Sequence, residues 1–298
     1  MTIVKLNEDR ISRVGEALKA LGLESALKVE ELDPQFQAAK LIVNKMGFGP
    51  ALTLVALNSL ISYRLGGRGE DYWSEFALFI SKVSEPKNLR DAVKLVISFL
   101  SSSRINITLR RSKVSRLLRA SVINVLEPWT IVKYVKSRNL RNLARSMASS
   151  LKTKWTSKTV VFAIKMLCYA YRAYKGKPLI APFNIPIPMD SRIAKLSWTS
   201  GIVDVIDEEP LSWSKVVKAI TSKPSLTQRA WSRVAKICGI PPIHLDSILW
   251  LIGGFLDRKA SREKVIENAT NSLARMTLRN FNDVKRVVEE VINRYLSR

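Results

Sequence analysis

Apolar residues recur at three- and four-residue intervals along almost the whole chain, the spacing that lines one face of an α-helix. In the first such stretch Ile11, Val14, Leu18 and Leu21 form the apolar side, with Asn7 as a side-chain cap and Gly22 as the stop. Asp33-Pro34 reads as an N-cap followed by proline at the first helical position, and predicts a helix that ends near Gly47. Pro50 begins the next, through Leu54, Leu57, Ile61 and Leu65, broken at Gly66-Gly67. Further helices are predicted over 70–83, 87–102 and 110–125, with shorter ones beyond Pro128. Asp190 is placed to cap a helix through Ile193, Leu196 and Trp198 that Gly201 ends. Helices from Pro210 to Ile220 and from Leu226 to Cys238 follow. Gly239-Ile240-Pro241-Pro242 then resets the chain before the strongly apolar run from His244 to Leu256. The tail from Ser261 to Arg298 is basic and amphipathic, with Val265, Leu273, Leu278 and Val284 on its apolar side. No stretch alternates convincingly as a strand and no segment repeats, so the pattern predicts an all-α fold.

Charge sharpens this picture. The 298 residues carry 49 Lys and Arg against 25 Asp and Glu, a net +24. An excess of that size favours a polyanionic partner: nucleic acid first, an anionic membrane surface second. The excess is also local. From Arg104 to Lys158 there are 14 basic residues and one acid, Glu127, a net +13. Helical spacing sets Arg110, Lys113, Arg116 and Arg119 along a shared side, and Trp129, Tyr134 and Trp155 interleave further on. This is the footprint of a surface that tracks a phosphate backbone. A solvated basic face is the plainer alternative. The uncharged run Gly47 to Tyr63 is 17 residues and includes Thr53, Asn58, Ser59 and Ser62, too short and too polar for a membrane span. The first ten residues carry both signs of charge and no apolar core, so no secretory signal is expected.

Candidate chemistry is narrow. Two cysteines, Cys168 and Cys238, and the lone His244 make no credible metal set, and a His-dependent triad is improbable. Lys, Asp and Glu remain. Lys158 falls in the first turn of an apolar helix, behind Thr156 or Ser157 as cap. The positive end of the helix dipole there, and desolvation by Trp155, Val161 and Phe162, would both favour a neutral amine, the form a Schiff-base nucleophile needs. Most lysines at such positions are ordinary surface residues. Asp190 leaves the stiff Pro186-Ile187-Pro188 loop, and capping alone would account for it. The glycines of Leu65-Gly66-Gly67-Arg68-Gly69 are not followed by Gly-Lys-Ser/Thr and read as a turn, not a phosphate loop. Asp246 and Trp250, four apart, share a helix face and set a carboxylate beside an indole. That pair suits a base pocket, or simply a first-turn acid and a core Trp. Phe162 is a candidate for the opposite stacking face.

Four segments together resemble the archaeal 8-oxoguanine DNA glycosylases, a divergent branch of the helix-hairpin-helix DNA glycosylase superfamily. They are Leu57-Asn58-Ser59-Leu60-Ile61-Ser62-Tyr63-Arg64-Leu65, Lys158-Thr159-Val160-Val161-Phe162-Ala163-Ile164-Lys165, Pro182 to Asp190, and Gly239 to Trp250. They lie in order and leave mainly 85–155 and the tail after Gly254 uncovered. The resemblance implies a bilobal helix-hairpin-helix glycosylase-like fold with its active-site cleft between two helical lobes. One catalytic module would span 1–298, with approximate lobes 1–75 plus 190–298, and 76–189. It also implies a bifunctional N-glycosylase and abasic-site lyase, in which Lys158 matches the Schiff-base lysine and Asp190 the catalytic aspartate. Phe162 and Trp250 would sandwich the flipped base. Gln35, Ser62, Trp73, Lys165, Pro188 and Asp246 fall on base-pocket positions. Contacts to the DNA backbone are expected from Arg110, Arg111, Lys113, Lys152 and Lys154. The superfamily usually carries a Leu-Pro-Gly-Val-Gly-like hairpin before the lysine. Here Leu151-Lys152-Thr153-Lys154-Trp155-Thr156-Ser157 stands in its place without a glycine, and Lys152 and Lys154 are expected to substitute by charge. No metal or cofactor is implied. The expected partner is 8-oxoguanine-containing DNA, double-stranded, with single-stranded DNA left open. A cytoplasmic monomer is expected. A non-catalytic nucleic-acid-binding protein and a monofunctional glycosylase for another damaged base are the rival readings.

Overall fold

The protein is described here by a computed structural model covering residues 2–256 and 260–296. The described residues include sixteen α-helices, one 3-10 segment and two short strands. The chain forms two compact units, Glu31–Ala181 and Met1–Glu30 with Pro182–Arg298. The division differs from the approximate lobes expected from sequence. Residues 31–75 belong with the central unit, because their helices pack against the helix that begins at Lys158.

In the central unit, α3 (Pro34–Met46) starts as predicted. The Asp33 carboxylate accepts from Gln35 N at 2.8 Å, and Pro34 takes the first helical position. Helix α4 (Phe48–Ile61) is apolar around its whole circumference and buried from Ala51 to Ile61, so it must lie inside a bundle. Against α3 and α4 packs α10 (Lys158–Lys175), while α5 (Gly69–Ile80) packs on α3. The Tyr169 hydroxyl donates to Asp33 Oδ2 at 2.9 Å and so fastens the start of α3 to α10. The other helices of this unit are α6 (Leu89–Ser102), α7 (Arg110–Ala120), α8 (Pro128–Lys136) and α9 (Leu140–Ser150). The predicted helix over 110–125 is shorter than expected: after Ala120 the chain turns through a 3-10 segment at Asn124–Leu126.

In the terminal unit, Asn7 caps α1 (Glu8–Lys19) by accepting from Arg10 N. Gly22 does not merely end this helix. With φ at 69° it turns the chain directly into α2 (Gly22–Glu31). The unit continues with α11 (Ser191–Thr199), α12 (Trp213–Ser222), α13 (Pro224–Cys238), α14 (Pro242–Gly254), α15 (Arg262–Thr277) and α16 (Phe281–Val291). The tail beyond Ser261 thus forms two helices whose Val265, Leu273, Val284 and Val288 join the core, while its last two residues lie outside the described ones. Leu278, expected on the buried side, is exposed in the turn between them. Arg10 gathers this unit, donating from Nε to Ser200 O and from Nη2 to Glu290 O, both at 2.8 Å. Two strands escaped the sequence reading. β1 (Ile3–Leu6) and β2 (Val203–Ile206) pair antiparallel with Val4 opposite Val205. Four residues are too few for an alternation to stand out, and the partners lie about 200 positions apart.

Candidate functional site

Helix α10 carries the central candidates on successive turns. Ser157 is its N-cap residue in an extended conformation but makes no side-chain cap bond, and Lys158 is the first helical residue, half-buried. Phe162, one turn on, meets Trp73 edge-on with ring centroids 6.1 Å apart. Trp73 is itself fully buried against Tyr72 and Phe76. Lys165, a further turn along, is buried with its Nζ 5.6 Å from the Tyr169 ring. Gln35, in the first turn of α3, is buried beside Gly69: a Cβ there would lie 3.4 Å from Gln35 Nε2. Ser62, at the end of α4, is buried and donates to Asn58 O at 2.7 Å. Gln35, Ser62, Trp73, Phe162 and Lys165 therefore sit on four helices that pack on one another. Arg116 straps α7 to the first turn of α10 through Thr159 Oγ1 at 2.9 Å.

One expected phosphate contact is overturned. Lys113 is completely buried; its Nζ donates to Asn106 Oδ1 and lies 4.8 Å from the Tyr63 ring centroid. Burial pushes its ammonium down to about 8 from the ordinary lysine value. Asn106 in turn donates to Tyr72 Oη at 3.0 Å and to Ile61 O at 3.3 Å, and Tyr72 donates to Asn58 Oδ1. Burial holds the Tyr72 phenol above its usual range. Lys113 is thus the end of an internal polar network, not part of a DNA-facing stripe. Arg110, Arg111, Lys152 and Lys154 are exposed, and Arg110 is steadied by a 2.8 Å bond to Ser103 O.

The glycine-free hairpin also resolves. Between α9 and α10, Lys152 adopts φ 51°, the left-handed conformation that glycine usually fills. Lys152 N donates to Ser149 O and Thr153 N to Ala148 O, both at 3.0 Å, closing the end of α9 as a glycine would. The Arg141 and Arg145 guanidinium groups lie 5.4 and 5.9 Å from the Trp155 ring. Beside them Thr153, Lys154 and Thr156 help line a basin of about 340 Å³.

In the terminal unit, the loop before α11 is anchored. Ile185 to Met189, Pro188 included, are buried, and Gln228 Nε2 donates to Ile187 O at 3.1 Å. Asp190 caps α11 as predicted, its Oδ1 accepting from Arg192 N and Ile193 N at 3.0 Å each. On α14, Asp246 is buried and Trp250, one turn later, is half-buried. The Arg192 guanidinium lies 4.5 Å from the Trp250 ring centroid and donates to Trp250 O at 3.3 Å. Sequence reasoning missed Arg192, whose only signal was its place two residues after Asp190. It also missed a buried cluster beneath the first turn of α14, where His244 Nδ1 lies 2.8 Å from Glu30 Oε1 and Ser247 donates to the same oxygen at 3.4 Å. Those partners are 214 residues apart and leave no local signal. Among the described residues, no group of three or more His, Cys, Asp or Glu is arranged to hold a metal, and no single helix is long and apolar enough to cross a membrane.

Known proteins share this fold. The AGOG family profile, described as N-glycosylase/DNA lyase, matches residues 15–290. The chain belongs to this family. N-glycosylase/DNA lyases of Pyrobaculum aerophilum and Thermococcus kodakarensis are each 35% identical, over 83% and 88% of this chain and 87% and 91% of their own. The crystal structure of 8-oxoguanosine-complexed Pa-AGOG, an 8-oxoguanine DNA glycosylase from Pyrobaculum aerophilum, aligns with a TM-score of 0.72 at 31% identity. That alignment covers 92% of this chain and 98% of the other. The chain is thus an enzyme of the AGOG family, with the all-α fold expected. The family match extends through the basic stretch upstream of Lys158 and through most of the tail, both of which lay outside the four segments of resemblance.

Proposed function

We propose that this AGOG-family enzyme excises 8-oxoguanine from DNA and cleaves the strand at the resulting abasic site by β-elimination, with Lys158 as nucleophile. A base inside a duplex shields its glycosidic carbon, so the nucleotide must first turn out into a pocket. Phe162 and Trp250 are the proposed aromatic faces, and stacking of this kind offsets roughly 1–3 kcal/mol per base. Gln35, Ser62, Trp73, Lys165, Pro188 and Asp246 are the proposed lining of the pocket. Arg110, Arg111, Lys152 and Lys154 are the proposed contacts to phosphate.

Unprotonated Lys158 Nζ attacks C1′. The C1′–N9 bond breaks with its electron pair leaving on the base, which then takes up a proton. Opening of the sugar ring gives an iminium between Nζ and C1′. Loss of a C2′ proton pushes electrons toward C3′ and expels the 3′ phosphate, and water then releases the lysine. Asp190 acts on the same centre, accepting the lysine proton or stabilising positive charge on the sugar.

The observation that supports this reading best is the start of α10, where Lys158 precedes Phe162 by one turn and Phe162 packs on Trp73. Borohydride trapping on a duplex containing 8-oxoguanine tests it. A covalent adduct is expected with the wild type and with Lys165→Gln at reduced yield, and none with Lys158→Gln. Binding without base release would replace the proposal with a non-catalytic role, and base release without strand scission would leave a monofunctional glycosylase.

A further inference from the structure

We propose that Arg192 is a positioning residue for base excision: its guanidinium backs one face of the Trp250 indole and so sets the ring against which the extruded base stacks. The inference rests on the proposed role of Trp250 and goes one step behind it.

Three observations carry it, all within the terminal unit. The guanidinium carbon lies 4.5 Å from the Trp250 ring centroid, inside the range in which a cation over an indole is attracted by the ring quadrupole. Nη1 also donates to Trp250 O at 3.3 Å, so the same side chain holds both the ring and the backbone that bears it. The third is the path of the arginine stem. A Cβ on Gly253 would lie 2.6 Å from Arg192 Cγ and 2.9 Å from Cδ, closer than real Cβ atoms approach. Gly253 lies within α14, where glycine costs about 1 kcal/mol relative to alanine, and the room it leaves is filled first by this stem and then by Leu196 Cδ1 at 3.0 Å.

The arrangement has a chemical consequence. An indole on the surface of a helix has two side-chain torsions, and one free face cannot fix both. A planar cation on that face limits the ring's rotation, so the other face is presented in one orientation. The Arg192 main chain independently donates to Asp190 Oδ1, a bond that any residue at this position keeps. Substituting the side chain therefore changes the support of Trp250 without removing the cap on Asp190.

The test separates a step that needs a base from one that does not. Arg192→Met keeps much of the stem but loses the planar cation; Arg192→Lys restores a cation without the plane. Single-turnover release of 8-oxoguanine from duplex DNA is compared with strand scission of a duplex already containing an abasic site, where nothing remains to stack. For Arg192→Met the first should slow by about three- to thirtyfold while the second stays within about threefold, and Arg192→Lys should recover part of the loss. Gly253→Ala, which keeps the guanidinium but displaces its stem, should show the same split and decides the matter if Arg192→Met does not fold. Equal loss in both reactions, or no loss in either, would overturn the role of Arg192 while leaving the proposed function standing. A wild type that releases no 8-oxoguanine would instead overturn the proposed function and this inference with it.

Discussion

Lys113 offers a test in which a buried charge reports on itself. Replacing it with Met removes an ammonium from a site with no solvent exposure, where its bond is to Asn106 Oδ1 and its nearest ring is Tyr63. Burial lowers its folded-state pKa to about 8 from 10.5. The unfolded chain therefore holds this proton more tightly, and the wild type bears the full cost of burying it below pH 8. As pH rises from about 8 to about 10.5 the lysine of the folded protein is already neutral while that of the unfolded chain is still charged, so the stability of the wild type increases. At 1.36 kcal/mol per pKa unit the gain is at most ~3 kcal/mol. Lys113→Met lacks this term. Near pH 7 two effects oppose each other: relief from burying a charge, and an Asn106 oxygen left unpaired at about 1–3 kcal/mol. The net change there should be small. At pH 10 only the unpaired oxygen remains, and the variant should fall behind the wild type by roughly 2–3 kcal/mol more than at pH 7. Denaturant unfolding of both proteins at pH 7 and pH 10, without DNA, measures the difference. A variant whose deficit is the same at both pH values would refute the reasoning, since the lysine would then be charged or neutral alike in both states.

Other substitutions probe the start of α10 and the caps. Lys152→Gly should raise stability by about 1 kcal/mol, because glycine occupies the left-handed conformation without strain; thermal unfolding would show it. The same variant should lower the salt dependence of binding to undamaged duplex by about one unit of slope, as one phosphate contact disappears. Asp33→Ala removes the bonds from both Gln35 N and the Tyr169 hydroxyl and should destabilise by about 2 kcal/mol in denaturant unfolding. Asp190→Asn should keep the stability of the wild type, since Asn caps helices as well as Asp, yet lose at least about a hundredfold in base release. Full activity in the Asp190→Asn variant would reduce Asp190 to its cap.

Much of the architecture was legible because helix boundaries are written in local chemistry. Asn7, Asp33-Pro34 and Asp190 each start a helix with the cap bond that their side chains predict. The candidate site residues could be named for a different reason: Lys158, Phe162 and Lys165 follow one another at helical spacing on α10, and the resemblance implied roles for them. What could not be read depends on partners remote in sequence. Lys113 looks like any basic residue on a polar face until Asn106 and Tyr63 enclose it. Arg192 stands on an ordinary first turn, and only its packing over Gly253 brings it to Trp250, 58 residues away. The division of the chain near residue 30 follows from how α3 and α4 pack on α10, which no linker marks.

The residues before and at the start of α10 break local rules in close succession. Lys152 takes a left-handed conformation that its side chain disfavours. Ser157 stands at the N-cap without a side-chain cap bond, and its buried Oγ finds no hydrogen-bond partner among the described residues. Lys158 places a basic side chain at the positive end of the helix dipole, where an acid would be favoured. Each feature costs on the order of 1 kcal/mol. Asp190, by contrast, satisfies every local rule for its position. A stretch in which a folding argument alone would rewrite two positions, Lys152 and Lys158, is where function is expected to set the sequence. At Asp190 the two demands coincide, because the cap bonds that start α11 also fix the direction of the carboxylate. On the proposed mechanism the lysine is the position at which stability and chemistry pull apart, and the aspartate the one at which they agree.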